Sequence, residues 1–291
     1  MITIDDVELV VNHFPDGTQK INLSEDFEWC TKIHFIDWFY QKEEECMTLW
    51  MLVKHIRDNE PFESEIWLTM PYVPNARQDR TYTETEVFTL KYFCDFINSL
   101  NFTKVRIMDV HSNVTPALLN RVCLMPIDVV LKKVLNGLDK ENLIIYYPDE
   151  GSIKRYVKDP SFNILNKFPY LIGDKTRVWE TRKITDLKIL KPDHSNAEEN
   201  DLKGKDVLMI DDIITRGGTM ALSAKKLKSL GASKIFAYAT HTENGALNKK
   251  DSKLIGLLED GTIEKVFTTN TIFTSEHDKI EVISFDCYEK S

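Results

Sequence analysis

Two adjacent acids, Asp211 and Asp212, lie between an apolar run and a glycine pair in the stretch VLMIDDIITRGGTMALSAKKLKSLG, residues 207–231. Neighbouring carboxylates suit the vicinal hydroxyls of a sugar, which donate hydrogen bonds to them. The pair Gly217–Gly218 lets the backbone approach an anion closely, and a helix that begins at Thr219 offers free N–H groups to a phosphate. The stretch therefore predicts a sugar-phosphate pocket, and the alternative is a turn that only caps a helix.

The elements that would position these acids are the strands of a parallel sheet. Helical patterns separate short apolar runs that are typical of buried strands, at residues 66–70, 104–108, 143–147, 207–210, 235–239 and 266–269. Ligands of open parallel sheets bind beyond the carboxyl ends of the strands, so we expect residues 211–219 to face a site.

Two helices are also predicted from the spacing of apolar residues. The pattern over residues 84–100 indicates a helix, with Thr83 and Glu86 as a capping box. A second helix should start near Met220 and end at a cap formed by Gly231. The polar segment 191–205 predicts a surface loop or a mobile connection.

The chain is predicted to form two α/β domains of similar plan. In each half a predicted strand ends in acids followed by polar or glycine-containing residues, MDVHS (108–112) and MIDDIITRGG (209–218). We place the boundary near residue 125, which gives an N-terminal domain of residues 1–125 and a C-terminal domain of residues 126–291.

Composition excludes several classes of protein. The 291 residues carry a formal net charge of −9, which argues against a broad nucleic-acid surface. The five cysteines include no CxxC pair, so neither a disulfide framework nor a zinc site is predicted. Neither a long apolar run nor a leader-like start is present, and we expect a soluble protein of the cytoplasm that binds no membrane.

Further motifs resemble one family in content and order. They are FPDGTQKI (14–21), PYVPNARQDR (71–80), MDVHS, YPDEGSIKRY (147–156), GDKTR (173–177), ATHTENGAL (239–247) and TTNTI (268–272). With the acid–glycine loop, which type I phosphoribosyltransferases share, this order is similar to that of the ribose-phosphate pyrophosphokinases. The ARQDR element is more specific to that family than the loop is.

The resemblance implies a fold and a reaction. The fold would be two phosphoribosyltransferase-like domains, each a mostly parallel sheet flanked by helices. The reaction would be transfer of the pyrophosphoryl group of ATP, with Mg²⁺, to the 1-hydroxyl of ribose 5-phosphate, giving phosphoribosyl pyrophosphate and AMP. A homodimer or a higher homo-oligomer is also implied, because the family's adenine loop reaches the site of a neighbouring subunit.

The resemblance also implies residue roles. Lys175 and Arg177 match the cations of the family's catalytic flexible loop. The matches to ATP-binding positions are Phe14, Asp16, Arg77, Gln78, Asp79 and His111. Metal-binding positions match Asp109, His111 and Asp149, and ribose 5-phosphate positions match Asp211, Asp212, Thr215, Arg216, Gly217, Gly218 and Thr219. Arg155 is interpreted as a surface cation, and His241 lines the cleft or is structural.

The sequence departs from the family's pattern at several points. Thr215–Arg216 replaces the usual acid–threonine step, so Arg216 either tightens phosphate binding or points outward, and Thr18 replaces the glutamate of the adenine loop. Phe14 lies so near the first residue that we expect a trimmed N-terminal sheet, and the segment after TTNTIF lacks the usual helical tail. Two alternatives stay open: a phosphoribosyltransferase that modifies a base, and a catalytically silent paralogue that regulates a true synthetase.

Overall fold

The structure is a computed structural model that describes residues 1–25, 27–29, 32–60, 64–157, 163–177 and 184–284. For Thr176, Arg177, Ile184 and Thr185 it describes the backbone alone. Contacts divide the chain into two compact units, Met1–Met125 and Pro126–Ser291. Each unit buries a hydrophobic core of its own.

The N-terminal unit contains eight described strands and three described helices. The strands are β1 Ile2–Ile4, β2 Val7–Glu8, β3 Val10–His13, β4 Gln19–Asn22, β5 Ile33–Trp38, β6 Glu65–Thr69, β7 Lys104–Met108 and β8 Val122–Met125. The helices are α1 Glu45–Asn59, α2 Thr89–Ser99 and α3 Val114–Leu118.

One six-stranded sheet organises this unit, in the order β2-β1-β5-β6-β7-β8. Strands β5 to β8 are parallel, whereas β1 pairs antiparallel with both β2 and β5. Strands β3 and β4 form a separate antiparallel hairpin, with Phe14 in its turn. The sheet therefore contains two strands that precede Phe14, β1 and β2. The expected loss of sheet structure before Phe14 is not found.

Helix α2 starts later than its apolar spacing predicts. The expected Thr83–Glu86 capping box is wrong, because Glu86 Oε2 instead accepts from the backbone N–H of Tyr82 over 2.7 Å. At the true start, the Gln78 side-chain oxygen accepts from the backbone N–H of Thr89 over 3.0 Å. A side chain eleven positions earlier therefore satisfies a free donor of the first turn.

The C-terminal unit contains seven described strands and five described helices. The strands are β9 Leu143–Tyr147, β10 Tyr170–Arg177, β11 Ile184–Leu190, β12 Asp206–Ile214, β13 Ile235–Thr242, β14 Lys265–Thr269 and β15 Ile280–Ile283. The helices are α4 Asp128–Asn136, α5 Glu150–Tyr156, α6 Glu199–Leu202, α7 Gly218–Ser229 and α8 Leu254–Glu259, with 3₁₀ turns at Leu165–Lys167 and Asn244–Leu247.

The sheet of this unit has the order β11-β10-β9-β12-β13-β14-β15. All neighbours are parallel except β10 and β11, which pair antiparallel. The six predicted strands are all present, and both units are mostly parallel sheets flanked by helices, which confirms the predicted fold class. Gly231, in the left-handed region with φ 92°, follows α7 as predicted. The predicted loop 191–205 contains the one-turn helix α6.

The described part of the chain bears on two composition-based expectations. Cys46, Cys94 and Cys123 are free thiols, whereas Cys30 and Cys287 lie outside the described residues. None of the described helices has the length and apolar character that a membrane crossing requires.

Candidate active site

The acidic pair lies in the part of β12, the central strand of the C-terminal sheet, that extends beyond the end of its neighbour β9. Strand β12 pairs with β9 only as far as Met209, opposite Tyr146, but it continues along β13 to Ile214. Asp211 and Asp212 are thus inside the strand rather than after it. They lie beyond the end of β9, and so they stand beside the turn formed by Pro148 and Asp149.

Asp149 connects this turn to strand β10. Its Oδ1 caps helix α5 by accepting from the backbone N–H of Ser152 over 3.1 Å, and its Oδ2 lies 3.5 Å from Lys175 Nζ. The Lys175 side chain is 5% exposed, whereas that of Asp149 is 46% exposed. Burial opposes ionisation of Asp149, but the Lys175 ammonium and the hydrogen bonds from Ser152 hold its pKa below the usual value.

Arg155, at the other end of α5, is not a surface cation. Its Nη1 donates to Asp212 Oδ1 over 2.6 Å, and the two side chains are 16% and 4% exposed. Burial and the neighbouring carboxylates of Asp212 and Asp149 raise the pKa of Asp211 well above its usual value, while Arg155 opposes that shift. Sequence reasoning missed this pairing, because 57 positions separate Arg155 from Asp212.

The loop after β12 joins the strand to helix α7. Gly217 occupies the left-handed region with φ 69°, and a Cβ there would lie 2.7 Å from Cβ of Leu254. Gly218 opens the helix, and Thr219 lies in its first turn, so free backbone N–H groups surround this loop. Thr215 is half-buried, and Arg216 is 67% exposed, with Nη2 4.0 Å from Asp251 Oδ2. The loop has the form of an anion cradle with a cation on its outer side.

Strand β10 passes close to the end of β9. A Cβ at Gly173 would approach the hydroxyl of Tyr146 and would lie 2.5 Å from the carbonyl oxygen of Pro148. The Tyr146 hydroxyl is itself held 3.0 Å from Ser223 Oγ of α7. Gly173 is therefore required for the packing that places Lys175 beside Asp149. The backbone of Arg177 ends β10, but the predicted role of its side chain lies outside the described residues.

His241 is buried at the end of β13, within a cluster of threonines. Its Nδ1 lies 2.8 Å from Thr271 Oγ1, and Thr269 Oγ1 donates to the carbonyl oxygen of Thr240 over 2.6 Å. His241 is 3% exposed. These contacts favour the structural alternative for this histidine.

The N-terminal unit brings the ARQDR and MDVHS elements together. Asp79 forms a two-bond ion pair with Arg80, at 2.9 and 3.1 Å, and its side chain is 11% exposed. These bonds, together with a hydrogen bond from Ser112 and the nearby His111, hold the pKa of Asp79 below its usual value. Arg77 is exposed at the same loop, while the Gln78 side chain serves as the cap of α2.

Asp109 and His111 follow β7, as expected of residues at a strand end. Asp109 has φ 41°, an uncommon conformation for a residue other than glycine, and it is 7% exposed. His111 is half-buried. Within the described residues no group of three or more His, Cys, Asp or Glu side chains forms a ready metal cage. The metal roles of Asp109, His111 and Asp149 stay predictions.

Phe14 and Asp16 form the exposed turn of the β3–β4 hairpin. Asp16 Oδ1 accepts from both the backbone N–H and the hydroxyl of Thr18, at 3.0 and 2.7 Å, and these bonds lower its pKa. Gly17 allows the turn with φ 85°, and the Phe14 ring is 51% exposed. The turn is thus preformed and presents an aromatic ring outward, and its predicted contact with nucleotide stays a prediction.

Comparisons with known proteins agree with this geometry. The family model described as "Phosphoribosyl synthetase-associated domain" matches residues 190–285. A ribose-phosphate pyrophosphokinase of Thermococcus kodakarensis is 26% identical, over 92% of this chain and 87% of its own. Ribose-phosphate pyrophosphokinase 1 of Listeria innocua is 28% identical, over 94% of this chain and 81% of its own.

A solved structure shares the fold along nearly the whole chain. The phosphoribosylpyrophosphate synthetase of Mycobacterium smegmatis matches with a TM-score of 0.74 at 19% identity, over 96% of this chain and 87% of its own. The class that the fold and the acid–glycine loop define is therefore the phosphoribosyltransferase-like α/β proteins. Along nearly its whole length the chain is also similar to the ribose-phosphate pyrophosphokinases, which confirms the resemblance that the motifs predict.

Proposed function

We propose that the protein transfers the pyrophosphoryl group of ATP to the 1-hydroxyl of ribose 5-phosphate, releasing phosphoribosyl pyrophosphate and AMP. The observation that carries this proposal is the convergence, at one edge of the C-terminal sheet, of the acidic pair, the glycine loop and the Lys175–Asp149 pair. That edge joins a polyol-binding group, an anion cradle and a cation, which are the groups this reaction needs.

The sugar phosphate would bind along β12 and the loop after it. Backbone N–H groups from Gly217 to Thr219 would hold the 5-phosphate at the start of α7. Carboxylate oxygens of Asp211 and Asp212 would accept hydrogen bonds from the ribose hydroxyls. Two fixed ends of the substrate then set the direction of its 1-hydroxyl, and this orientation supplies part of the rate enhancement.

Lys175 would neutralise charge on the transferring group. Its ammonium is nearly buried, so its field is less screened there than at an exposed position. Arg177, two residues further along β10, is assigned the same role through the resemblance alone.

Mg²⁺ would be held mainly by the nucleotide phosphates. The half-exposed Asp149 fits such an ion, since Mg²⁺ in nucleotide sites commonly takes one or two carboxylates together with phosphates and waters. The ion would supply charge neutralisation at the polyphosphate. Asp109 and His111 are proposed as further contacts to metal or phosphate.

The ATP contacts are proposed for the N-terminal unit. Arg77 is exposed and can fork onto phosphate, and Asp79 is held ready by Arg80 to accept from a ribose or base group. Phe14 and Asp16 would reach the adenine of a neighbouring subunit. The protein would thus act as a homodimer or a higher homo-oligomer, in the cytoplasm where ATP is available.

Phosphorus NMR tests the reaction directly. The purified protein is incubated with ATP, ribose 5-phosphate and Mg²⁺, and phosphoribosyl pyrophosphate and AMP are expected in equal amounts. AMP and inorganic pyrophosphate without phosphoribosyl pyrophosphate would indicate hydrolysis instead. Absence of product with ATP and with other nucleoside triphosphates would overturn the proposal and favour a regulatory paralogue. Consumption of phosphoribosyl pyrophosphate with a base would favour a phosphoribosyltransferase.

A further inference from the structure

Arg155 has no role in the function proposed so far, yet it lies against the acidic pair of the sugar-phosphate site. Its guanidinium is 2.6 Å from Asp212 Oδ1, and neither side chain is more than 16% exposed. We infer that Arg155 is a positioning residue that holds the Asp212 carboxylate in place for a ribose hydroxyl, an inference that rests on the proposed function.

The helix that carries Arg155 is anchored at both ends. At its start, Asp149 caps the free N–H of Ser152. At its end, the buried ring of Tyr156 stacks on Tyr147 of β9, with centroids 6.2 Å apart and an interplanar angle of 18°. Because packed groups fix the backbone on either side, the guanidinium approaches Asp212 from a defined direction.

The charges around Asp212 explain why a cation is placed there. Asp212 is buried, and Asp211 beside it interacts electrostatically with both Asp212 and the half-exposed Asp149. Burying an ion pair gives no more stability than apolar packing would, since desolvation offsets the attraction. The arginine does reduce repulsion among the acids, and its planar group can hold a carboxylate in one orientation. Such an orientation serves binding of a hydroxyl more than it serves folding.

Replacing the guanidinium should affect one substrate selectively. We expect Arg155→Met to raise the KM for ribose 5-phosphate about tenfold or more, with the KM for ATP near the wild-type value and a smaller change in kcat. The KM of Arg155→Lys for ribose 5-phosphate should lie between those of wild type and Arg155→Met, because lysine keeps the charge but lacks the planar guanidinium group. Lys154→Met is the matched control, since Lys154 is exposed on the same helix, and it should behave as wild type.

A double-mutant cycle distinguishes positioning from general stabilisation. If Arg155 acts through Asp212, adding Arg155→Met to Asp212→Asn should change the KM for ribose 5-phosphate less than about twofold. If the fold-change of the double variant equals the product of the two single-variant fold-changes in the KM for ribose 5-phosphate, the inference is overturned. An equal rise in the KM for ATP in Arg155→Met would also overturn it. Thermal unfolding of each variant verifies folding, and Arg155→Lys replaces Arg155→Met in the cycle if the latter does not fold.

Direct binding separates failure of this inference from failure of the proposed function. Calorimetry with ribose 5-phosphate alone compares wild type, Arg155→Lys and Lys154→Met without requiring turnover. Wild type could bind ribose 5-phosphate and yet make no phosphoribosyl pyrophosphate. In that case, weaker binding by Arg155→Lys than by wild type and Lys154→Met still supports the role of Arg155. Equal binding by all three proteins, or no binding by wild type, overturns it.

Discussion

Lys175 Nζ lies 3.5 Å from Asp149 Oδ2, and this contact joins two strands of the C-terminal sheet through the turn that follows β9. The Lys175 side chain is nearly buried and that of Asp149 is half-exposed, so the carboxylate faces solvent and the ammonium group lies behind it. An incoming polyphosphate or metal ion would meet Asp149 first. Under the proposed function, substrate binding would redirect Lys175 from Asp149 toward phosphate.

Lys175→Ala should lower kcat at least about a hundredfold while the affinity for ribose 5-phosphate changes little, because the cation acts on charge that develops during transfer. Steady-state kinetics with both substrates and calorimetry with ribose 5-phosphate check this. Lys188→Ala is the control, since Lys188 is exposed on β11 opposite Asp174 and should retain wild-type kinetics. Unchanged kcat in Lys175→Ala would remove the assigned role.

Gly173→Ala should destabilise the protein by about 1–3 kcal/mol and also lower activity. The new methyl group would lie 2.5 Å from the carbonyl oxygen of Pro148, so β10 must shift and carry Lys175 away from Asp149. Urea unfolding and the kinetic assay measure both effects. Gly245→Ala is the matched control, because a Cβ there meets nothing within 4 Å, and its stability should stay within about 0.5 kcal/mol of wild type. Wild-type stability in Gly173→Ala would contradict the packing argument.

Arg216→Ala should change the KM for ribose 5-phosphate less than about threefold. The Arg216 side chain is 67% exposed, and its Nη2 lies as far as 4.0 Å from Asp251 Oδ2. Such a surface ion pair contributes at most about 1 kcal/mol. Gly217→Ala, by contrast, places a side chain at a residue in the left-handed region and crowds Leu254. Its KM for ribose 5-phosphate should therefore rise much more than that of Arg216→Ala. A large loss of affinity in Arg216→Ala would instead show that this cation contacts the 5-phosphate.

His34 should make the stability of the N-terminal unit depend on pH. It is fully buried, with Nδ1 2.7 Å from Asp5 Oδ2 and Nε2 2.9 Å from Glu60 Oε1. Burial lowers the pKa of His34, but the hydrogen bonds and charges of Asp5 and Glu60 outweigh it, so the pKa is raised above 6.5. The resulting stabilisation is fully present below pH 6.5 and is lost as pH rises through the folded-state pKa.

The measurement is urea unfolding of wild type and His34→Asn between about pH 6 and pH 9. Wild type should lose stability with rising pH more steeply than the variant, which should be less stable by about 1–3 kcal/mol near pH 6 because the buried Glu60 carboxylate and the part-exposed Asp5 carboxylate lose their partner. His55→Asn is the control, since His55 is exposed on α1. Parallel pH profiles for wild type and His34→Asn would show that folding does not raise the pKa of His34.

Six of the fifteen described strands and the acid–glycine loop were predictable because their signals are local. An apolar run such as Leu143–Tyr147 indicates a buried strand wherever it lies, and a glycine after a strand indicates a turn in the left-handed region, as found at Gly217. Family motifs added expected roles for Asp149 and Lys175, and the structure brings these two side chains together. Helix α1 was not predicted, and α2 was predicted to begin too early.

The sequence by itself determined six of the fifteen described strands, the acids and glycines near their carboxyl ends, and the family that the motifs resemble, since each depends on residues close in the chain. Only the tertiary structure decided that β12 continues past β9 along β13, that Gln78 sets the start of α2, and that Arg155 meets Asp212. The physical reason is that strand register, caps and buried charge pairs depend on groups brought together by packing, and no local pattern of residue types encodes a partner 57 positions away.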